Sequence, residues 1–410
     1  MAEPSSSRRT QAAAKQSDLL GESESRWDDS DRYNNSIAIL LLFPVMFVAK
    51  FLVDHVLGDK YFFDNNRIVQ MTLGVDTGWE GSYRVASDLF SKLNIFHFTT
   101  MAEWSTTLGV IFTFVLLILI LRMPSLDLLQ LVFLLASVGL LNIYVFNISK
   151  DIIQFSFFFA VYLVLQFPLK RPIISVALVA AILYYESTFF RSYYILIAAF
   201  VVGVYMLLLV FRRYVKRFSA LTALEIVVCV FVMVFLALLV AQRVMPDEYK
   251  QVVSVRSDTT SIREGDTTAS NTLITDLLPG SGLPGFMLNY VVNAFRMMIP
   301  VELLTKGAYY IPFFLFQCMV TVYIINMLRQ INEVHDSKQF IAICVYIGYA
   351  LGSFIFEPDF GSWVRHETAT FPVLQLLVFS TNQHLSWSAI KSGTKAMVDK
   401  AQVAVGMSRG

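Results

Sequence analysis

Leu221-Thr222-Ala223-Leu224-Glu225-Ile226-Val227-Val228-Cys229-Val230-Phe231-Val232-Met233-Val234-Phe235-Leu236-Ala237-Leu238-Leu239-Val240-Ala241-Gln242 decides the fold. Glu225 is its one charged side chain, and Val, Leu, Ile and Phe fill most of the rest. A helix needs about 20 such residues to cross about 30 Å of hydrocarbon. Arg212, Arg213, Lys216 and Arg217 precede the run, as expected for a short loop held on the cytoplasmic side. Outward from this segment, similar runs lie near 36–56, 105–122, 127–146, 151–168, 173–190, 192–211, 308–327, 339–356 and 369–385. Glu186 to Tyr194 interrupts the fifth and sixth spans, and the last turns polar at Ser380-Thr381-Asn382-Gln383.

Composition supports a membrane class. The chain of 410 residues is 56% hydrophobic and 15% charged, with 35 Phe. Soluble domains average about 45–50% apolar and about 25% charged. Net charge is +1, and no basic block stands apart from helix ends, so nucleic acid is not an expected partner. Cys229, Cys318 and Cys344 all lie in apolar runs, which excludes a disulfide framework. The predicted class is all-α: a polytopic bundle of about ten transmembrane helices, with a large external loop carrying short interfacial helices. Residues 1–34 read as a disordered cytoplasmic tail, 35–388 as the transmembrane domain and 389–410 as a cytoplasmic C-terminal tail.

Short-loop Lys and Arg fix the expected orientation. With the N-terminal tail inside, Arg122, Lys170, Arg171, Arg212, Arg213, Lys216, Arg217, Arg329, Lys338, Lys391, Lys395 and Lys400 share the inner face. The outer face then receives residues 57–104, Asn147 to Asp151, Glu186 to Arg191, 243–307 and Glu357 to Thr368. In the largest of these, 247–272 is polar, and 274–305 reads as an interfacial helix carrying Arg296. No internal repeat of the kind common in transporters is visible.

Ionisable groups close to hydrocarbon are costly, and functional sites are where such costs recur. Arg365 and His366 follow Asp359-Phe360-Gly361-Ser362 and precede an apolar run. A guanidinium can clasp a phosphate through paired, charge-assisted hydrogen bonds, and a histidine can move protons near neutrality. The structural reading of the same residues is a snorkelling Arg beside a surface His. Glu186, Arg191 and Tyr194 lie in Tyr184-Tyr185-Glu186-Ser187-Thr188-Phe189-Phe190-Arg191-Ser192-Tyr193-Tyr194, which suits either an anion site or an aromatic belt with one ion pair. Lys150 lies between Ser149, the expected helix cap, and Asp151 in the first turn. A cation there opposes the helix dipole, a mismatch that an anionic ligand would relieve.

Asp76-Thr77-Gly78-Trp79-Glu80-Gly81-Ser82-Tyr83-Arg84 places two acids four apart, on one face if helical, with an aromatic between them. Carboxylates beside Trp or Tyr suit sugar hydroxyls and rings, and an exposed turn is the alternative. Arg296 suits a phosphate contact or an interfacial anchor. The sequence has no phosphate-cradling Gly-rich loop and no His/Cys spacing for zinc. A group-transfer donor would therefore arrive from the lipid.

In order, the acid-aromatic segment Asp76 to Tyr83, the turn Ser149-Lys150-Asp151, Phe190-Arg191-Ser192-Tyr193 and the stretch Glu357-Pro358-Asp359-Phe360-Gly361-Ser362 through Arg365-His366 form a set. Over most of residues 36–385 the chain resembles the Wzy-type polymerases of bacterial O-antigen, capsule and exopolysaccharide. The long polar N-terminal tail departs from that pattern. The resemblance implies an inverting glycosyl transfer at the outer face of the bacterial cytoplasmic membrane. Donor and acceptor would be glycans linked to undecaprenyl diphosphate, and no metal or other cofactor is implied. A chain-length regulator and a flippase are the protein partners it leaves room for. On that reading Arg191 and Arg365, with Arg296 and Lys150, stabilise the leaving diphosphate. His366 is the first choice of base, Glu186 or Asp359 the second, while Asp76, Glu80 and Tyr83 orient sugars and Arg84 and Tyr194 bind substrate. A lipid-linked glycan flippase and a polysaccharide ligase are the competing functions.

Overall fold

The computed structural model describes residues 33–383, apart from 77, 168–170, 216–219, 245, 247–248, 251–271, 280–281 and 381–382. Residues 1–32 and 389–410 of the two expected tails, the polar 247–272 stretch (Tyr249, Lys250 and Thr272 excepted) and the basic residues Lys170, Lys216, Arg217, Lys391, Lys395 and Lys400 lie outside the described residues. The remainder is helical. In chain order the helices are α1 Tyr33–His55, α2 Phe63–Thr72, α3 Ser82–Leu93, α4 Met101–Ile120, α5 Leu128–Leu140, α6 Asp151–Gln166, α7 Pro172–Phe189, α8 Tyr194–Tyr214, α9 Ala220–Val244, α10 Gly282–Met298, α11 Ile311–Arg329, α12 Ser337–Phe356, α13 Phe360–Ala369 and α14 Phe371–Val378.

Among the described residues, 8 helices are long and apolar enough to cross a membrane: α1, α4, α5 with its continuation to Val145, α7, α8, α9, α11 (counted from Ala308) and α12. Their outer surface explains why water is the wrong solvent. Leu224, Val228, Val232, Leu236, Val240 and Val244 recur every fourth residue along α9, and all are exposed. Such spacing exposes an apolar side chain on every turn, and exposed apolar surface costs about 25 cal/mol per Å² in water. The chain is a multi-pass membrane protein. Burial varies sharply around the bundle: 89% of the apolar window of α12 is buried, against 17% for α9. α12 is the central post and α9 a peripheral one.

The ten expected spans differ from this set in two places. α6 is apolar but shorter than the eight. The stretch expected at 369–385 is instead a pair of short helices beginning at Phe360 and ending at Val378, broken at Thr370 before Pro372. Proline lacks the amide that would continue the ladder, so α14 starts afresh with Pro372 in its first turn. Arg365, His366 and Glu367 hide this pair from a hydropathy reading, although the bundle buries His366 and Glu367.

Small residues set the closest approach. A Cβ on Gly348 of α12 would lie 2.7 Å from the Val201 backbone nitrogen of α8, and one on Gly352 would lie 2.6 Å from Ile197 Cγ1. Without these glycines the two helices would stand further apart. Gly348→Ala is expected to lower thermal stability by about 1–3 kcal/mol through overpacking, offset in part by about 1 kcal/mol of helix propensity. Gly352→Ala meets the side chains of Ile197 and Phe356 and no backbone atom, and is expected to cost less. Melting of the detergent-purified protein by tryptophan fluorescence ranks the two, and equal melting would contradict this packing.

The bundle has two chemically different ends. At one, Asn34 donates to the Leu126 carbonyl (2.9 Å), Asn332 to Val215 (2.8 Å) and Lys338 to Gln166 (3.4 Å). Helix alternation puts Arg122, Arg171, Arg212, Arg213 and Arg329 there too. The other end carries the start of α6, the α7–α8 turn, α2 and α3, and the start of α13.

Candidate functional site

At this second end the side chains converge on Asp151, the first residue of α6. Its carboxylate is buried. Arg365 Nε of α13 lies 2.8 Å from Oδ2. Arg191 Nη2, from the α7–α8 turn, lies 3.2 Å from Oδ1, and His366 Nε2 lies 3.2 Å from the same oxygen. Chain order separates these residues widely, and α6 brings them together because its N-terminus meets both the turn and α13.

Each member is then fixed by a further partner. Arg191 Nη1 donates to Gln154 Oε1 (2.7 Å), one turn along α6. Gln154 Nε2 donates to the His366 carbonyl (3.0 Å). Glu357 Oε1 lies 2.6 Å from His366 Nδ1, which makes Nδ1 the protonated nitrogen. Nε2 is left facing Asp151 and Arg191 Nη2, the latter at 3.3 Å. A neutral ring accepts there from Arg191, and a charged ring donates to Asp151.

A second carboxylate, Asp64 of α2, closes the outer side. It lies 3.1 Å from Lys150 Nζ and 3.8 Å from Arg365 Nη2, and it accepts from the Tyr83 hydroxyl at 2.7 Å. Burial alone would raise the Asp64 pKa, but Lys150, Arg365 and the Tyr83 hydrogen bond hold it well below the usual carboxylate range. Burial pushes Lys150 down to about 8, against the pull of Asp64. Its ammonium also sits 3.6 Å above the Tyr83 ring, a cation–π contact. The cluster opens on this side: the Asp64 side chain is 29% exposed and Arg365 20%, against 3% for Asp151.

The backbone beneath is unusual. α5 widens after Leu140 into a π turn, Leu141–Val145, before the chain bends into α6. Such widened turns are frequent at functional sites. Lys50 of α1, itself buried, donates to the Asn142 carbonyl (2.7 Å), the Phe146 carbonyl (2.7 Å) and Asn147 Oδ1 (3.0 Å). It thereby satisfies carbonyls that the helix no longer caps. Asn65 Nδ2 donates to the Ile148 carbonyl (3.1 Å), tying α2 to the same bend.

Several sequence expectations need correction. Asp76 and Glu80 do not share a helix face, because neither residue is helical: both lie between α2 and α3, in a stretch with positive φ at Gly74 (73°) and Gly81 (66°). Asp76 accepts from the Gly78 amide (3.0 Å) and lies 3.9 Å from Arg67. Glu80 and Arg84 are exposed, whereas Tyr83 of the same motif reaches the cluster through Asp64. Arg296 is occupied elsewhere: it bonds Glu302 at 2.5 and 2.9 Å, the Thr275 carbonyl at 2.7 Å and Asn293 at 2.7 Å. Asp359 caps α13 by accepting from the Ser362 amide (2.7 Å).

Ser149 is the expected cap of α6, but Lys150 holds the N-cap position, with Ser149 Oγ accepting from the Ile152 amide at 3.3 Å. Tyr194 is fully buried and its hydroxyl has no hydrogen-bond partner among the described residues, as has neither oxygen of the buried Glu186 carboxyl.

Asp64, Gln154 and the hub role of Asp151 escaped the sequence reading. Asp151 reads as an ordinary first-turn acid, and Asp64 belongs to no pattern in Phe63-Asp64-Asn65-Asn66-Arg67. Among the described residues no group of three or more His, Cys, Asp or Glu side chains is placed to hold a metal. Searches of protein-family models, curated proteins and solved structures give no match to this chain.

Proposed function

We propose that the chain is a bacterial membrane glycosyltransferase that joins lipid-diphosphate-linked glycans, in the manner of a Wzy-type repeat-unit polymerase. The supporting observation is the convergence of Lys150, Arg191, Arg365 and His366 from separate segments onto one end of an apolar bundle. That end is opposite the one rich in loop Arg, so the positive-inside rule assigns it to the exterior. The broken pair α13–α14 and the short α6 complete a ten-crossing bundle, with both termini inside. Residues 57–104 and 243–307 are then the external loops.

In the proposed reaction an acceptor hydroxyl oxygen bonds to the anomeric carbon of the donor. The bond from that carbon to the diphosphate oxygen breaks, and its electron pair leaves with the lipid diphosphate. Arg365 is the principal contact to that growing charge, since its guanidinium is partly exposed and its known contacts use only part of its donors. Lys150 assists from the same side. The hydroxyl proton passes to Nε2 of His366, whose ring Glu357 orients through Nδ1. Arg191 releases Nε2 as the substrates bind and keeps its bond to Gln154.

A preorganised charge-stabilising donor is worth about 10²–10³-fold in rate. Arg365→Ala is therefore expected to lower ladder formation from purified undecaprenyl-diphosphate-linked repeat units by at least that factor, with the protein still in the membrane. Wild-type-length polymer from this variant would refute the assignment. A flippase would make no ladder from units already outside, and a ligase would add one chain per acceptor.

A further inference from the structure

We propose that Tyr61, Tyr144, Tyr309 and Tyr310 form a saccharide subsite, a platform for the sugar ring next to the diphosphate. The inference rests on the glycan-joining reading above. These tyrosines come from three segments: Asp59–Tyr61 before α2, the π turn after α5, and the Ala308–Tyr310 turn before α11. All four are half-buried. Tyr61 and Tyr309 pack ring against ring at 4.6 Å, Tyr309 meets Tyr310 at 5.0 Å, and Phe313 backs Tyr144 at 5.5 Å. The Tyr144 and Tyr309 hydroxyls are hydrogen-bonded to each other. That bond consumes one of the pair's two hydroxyl protons, so one donor and several acceptor sites remain.

The same segments build the charged cluster. The stretch that supplies Tyr61 supplies Asp64 three residues on, and the bend that supplies Tyr144 continues into Lys150 and Asp151. Arg365 is within Coulombic reach of both the Tyr144 and Tyr309 hydroxyls, and Tyr310 of Asp359. The wall therefore lies on the Arg365 side of the cluster rather than standing as a separate patch. Its chemistry selects the ligand. A prenyl chain needs only apolar surface, whereas a sugar has apolar C–H faces for rings and hydroxyls for phenols. The acid-aromatic segment around Asp76 has the same composition, but its acids are not brought to the cluster.

The test uses full-length protein in nanodiscs and two probes: the oligosaccharide released by mild acid from the host's lipid-linked fraction, and undecaprenyl diphosphate carrying no sugar. Tyr61→Ala and Tyr309→Ala are expected to weaken oligosaccharide binding about tenfold, which is about 1.4 kcal/mol. Both should bind undecaprenyl diphosphate within about twofold of wild type, which also shows that they fold. Tyr309→Phe should fall between the extremes, since it keeps the ring and loses one hydroxyl. Wild-type oligosaccharide affinity in both Ala variants would overturn the subsite, as would equal loss of both probes. If wild-type protein binds undecaprenyl diphosphate but no oligosaccharide, the subsite fails and the glycosyltransferase reading survives. If it binds neither, both fail.

Discussion

Asp151→Ala is expected to be the most damaging single substitution in this protein. It removes the carboxylate between Arg365 (2.8 Å), Arg191 (3.2 Å) and His366 (3.2 Å) and leaves all of them in place. Removing one partner of a buried pair costs about 3–5 kcal/mol, because the surviving charge has lost its compensation without regaining water. Arg191 suffers most, since its side chain is 7% exposed, whereas Arg365 retains a wet edge. Melting of the purified variant is expected to fall accordingly, and ladder formation to vanish. Adding Arg191→Leu to Asp151→Ala should restore part of the stability, with a coupling of about 0.5–3 kcal/mol. Strict additivity of the two changes would show that Arg191 does not depend on Asp151.

Lys50→Met is expected to cost a comparable amount of stability while leaving the charges of the cluster itself intact. Lys50 touches none of the cluster's charges, yet it holds the Asn142 and Phe146 carbonyls at the end of the widened turn. Met fills similar space and offers no donor. Each abandoned buried acceptor costs about 1–3 kcal/mol, so the two carbonyls together put the loss at about 2–6 kcal/mol. Asn147 Oδ1 is better placed, since Ser105 Oγ also donates to it at 2.6 Å. The same turn leads into Lys150 and Asp151, so undecaprenyl diphosphate affinity should fall along with the melting temperature. A variant that melts like wild type would mean that the turn closes its own carbonyls without help.

How far the sequence could be read depended on what each residue type signals alone. The run around Leu221–Gln242 declares itself because nearly every residue votes the same way, and the all-helical fold follows from several such runs. Arg365, His366 and Arg191 stand out as charges next to apolar stretches, and all three lie on Asp151. Asp151 itself is masked, since an acid in the first turn of a helix already has a sufficient local explanation. Asp64 is invisible for a different reason: its neighbours Tyr83, Lys150 and Arg365 come from three other parts of the chain that only the fold brings to it. Asp76 and Glu80 mislead because four-residue spacing means a shared face only if the backbone is helical, and both lie in the non-helical connection between α2 and α3. Arg296 has the composition of a phosphate contact, but Glu302 lies one short turn away and takes it.

The near-balance of Lys150, Arg191, Arg365 and His366 against Asp64, Asp151 and Glu357 has a consequence for encounter. Opposite charges a few ångströms apart cancel at a distance, so little field extends past a Debye length of about 8 Å at physiological ionic strength. The site cannot fish for anions from solution. A polyanionic head group gains from it only at contact, by taking the place of a resident carboxylate. For the proposed lipid-linked substrate, capture would then depend on two-dimensional diffusion within the leaflet, and added electrolyte would alter the arrival rate little.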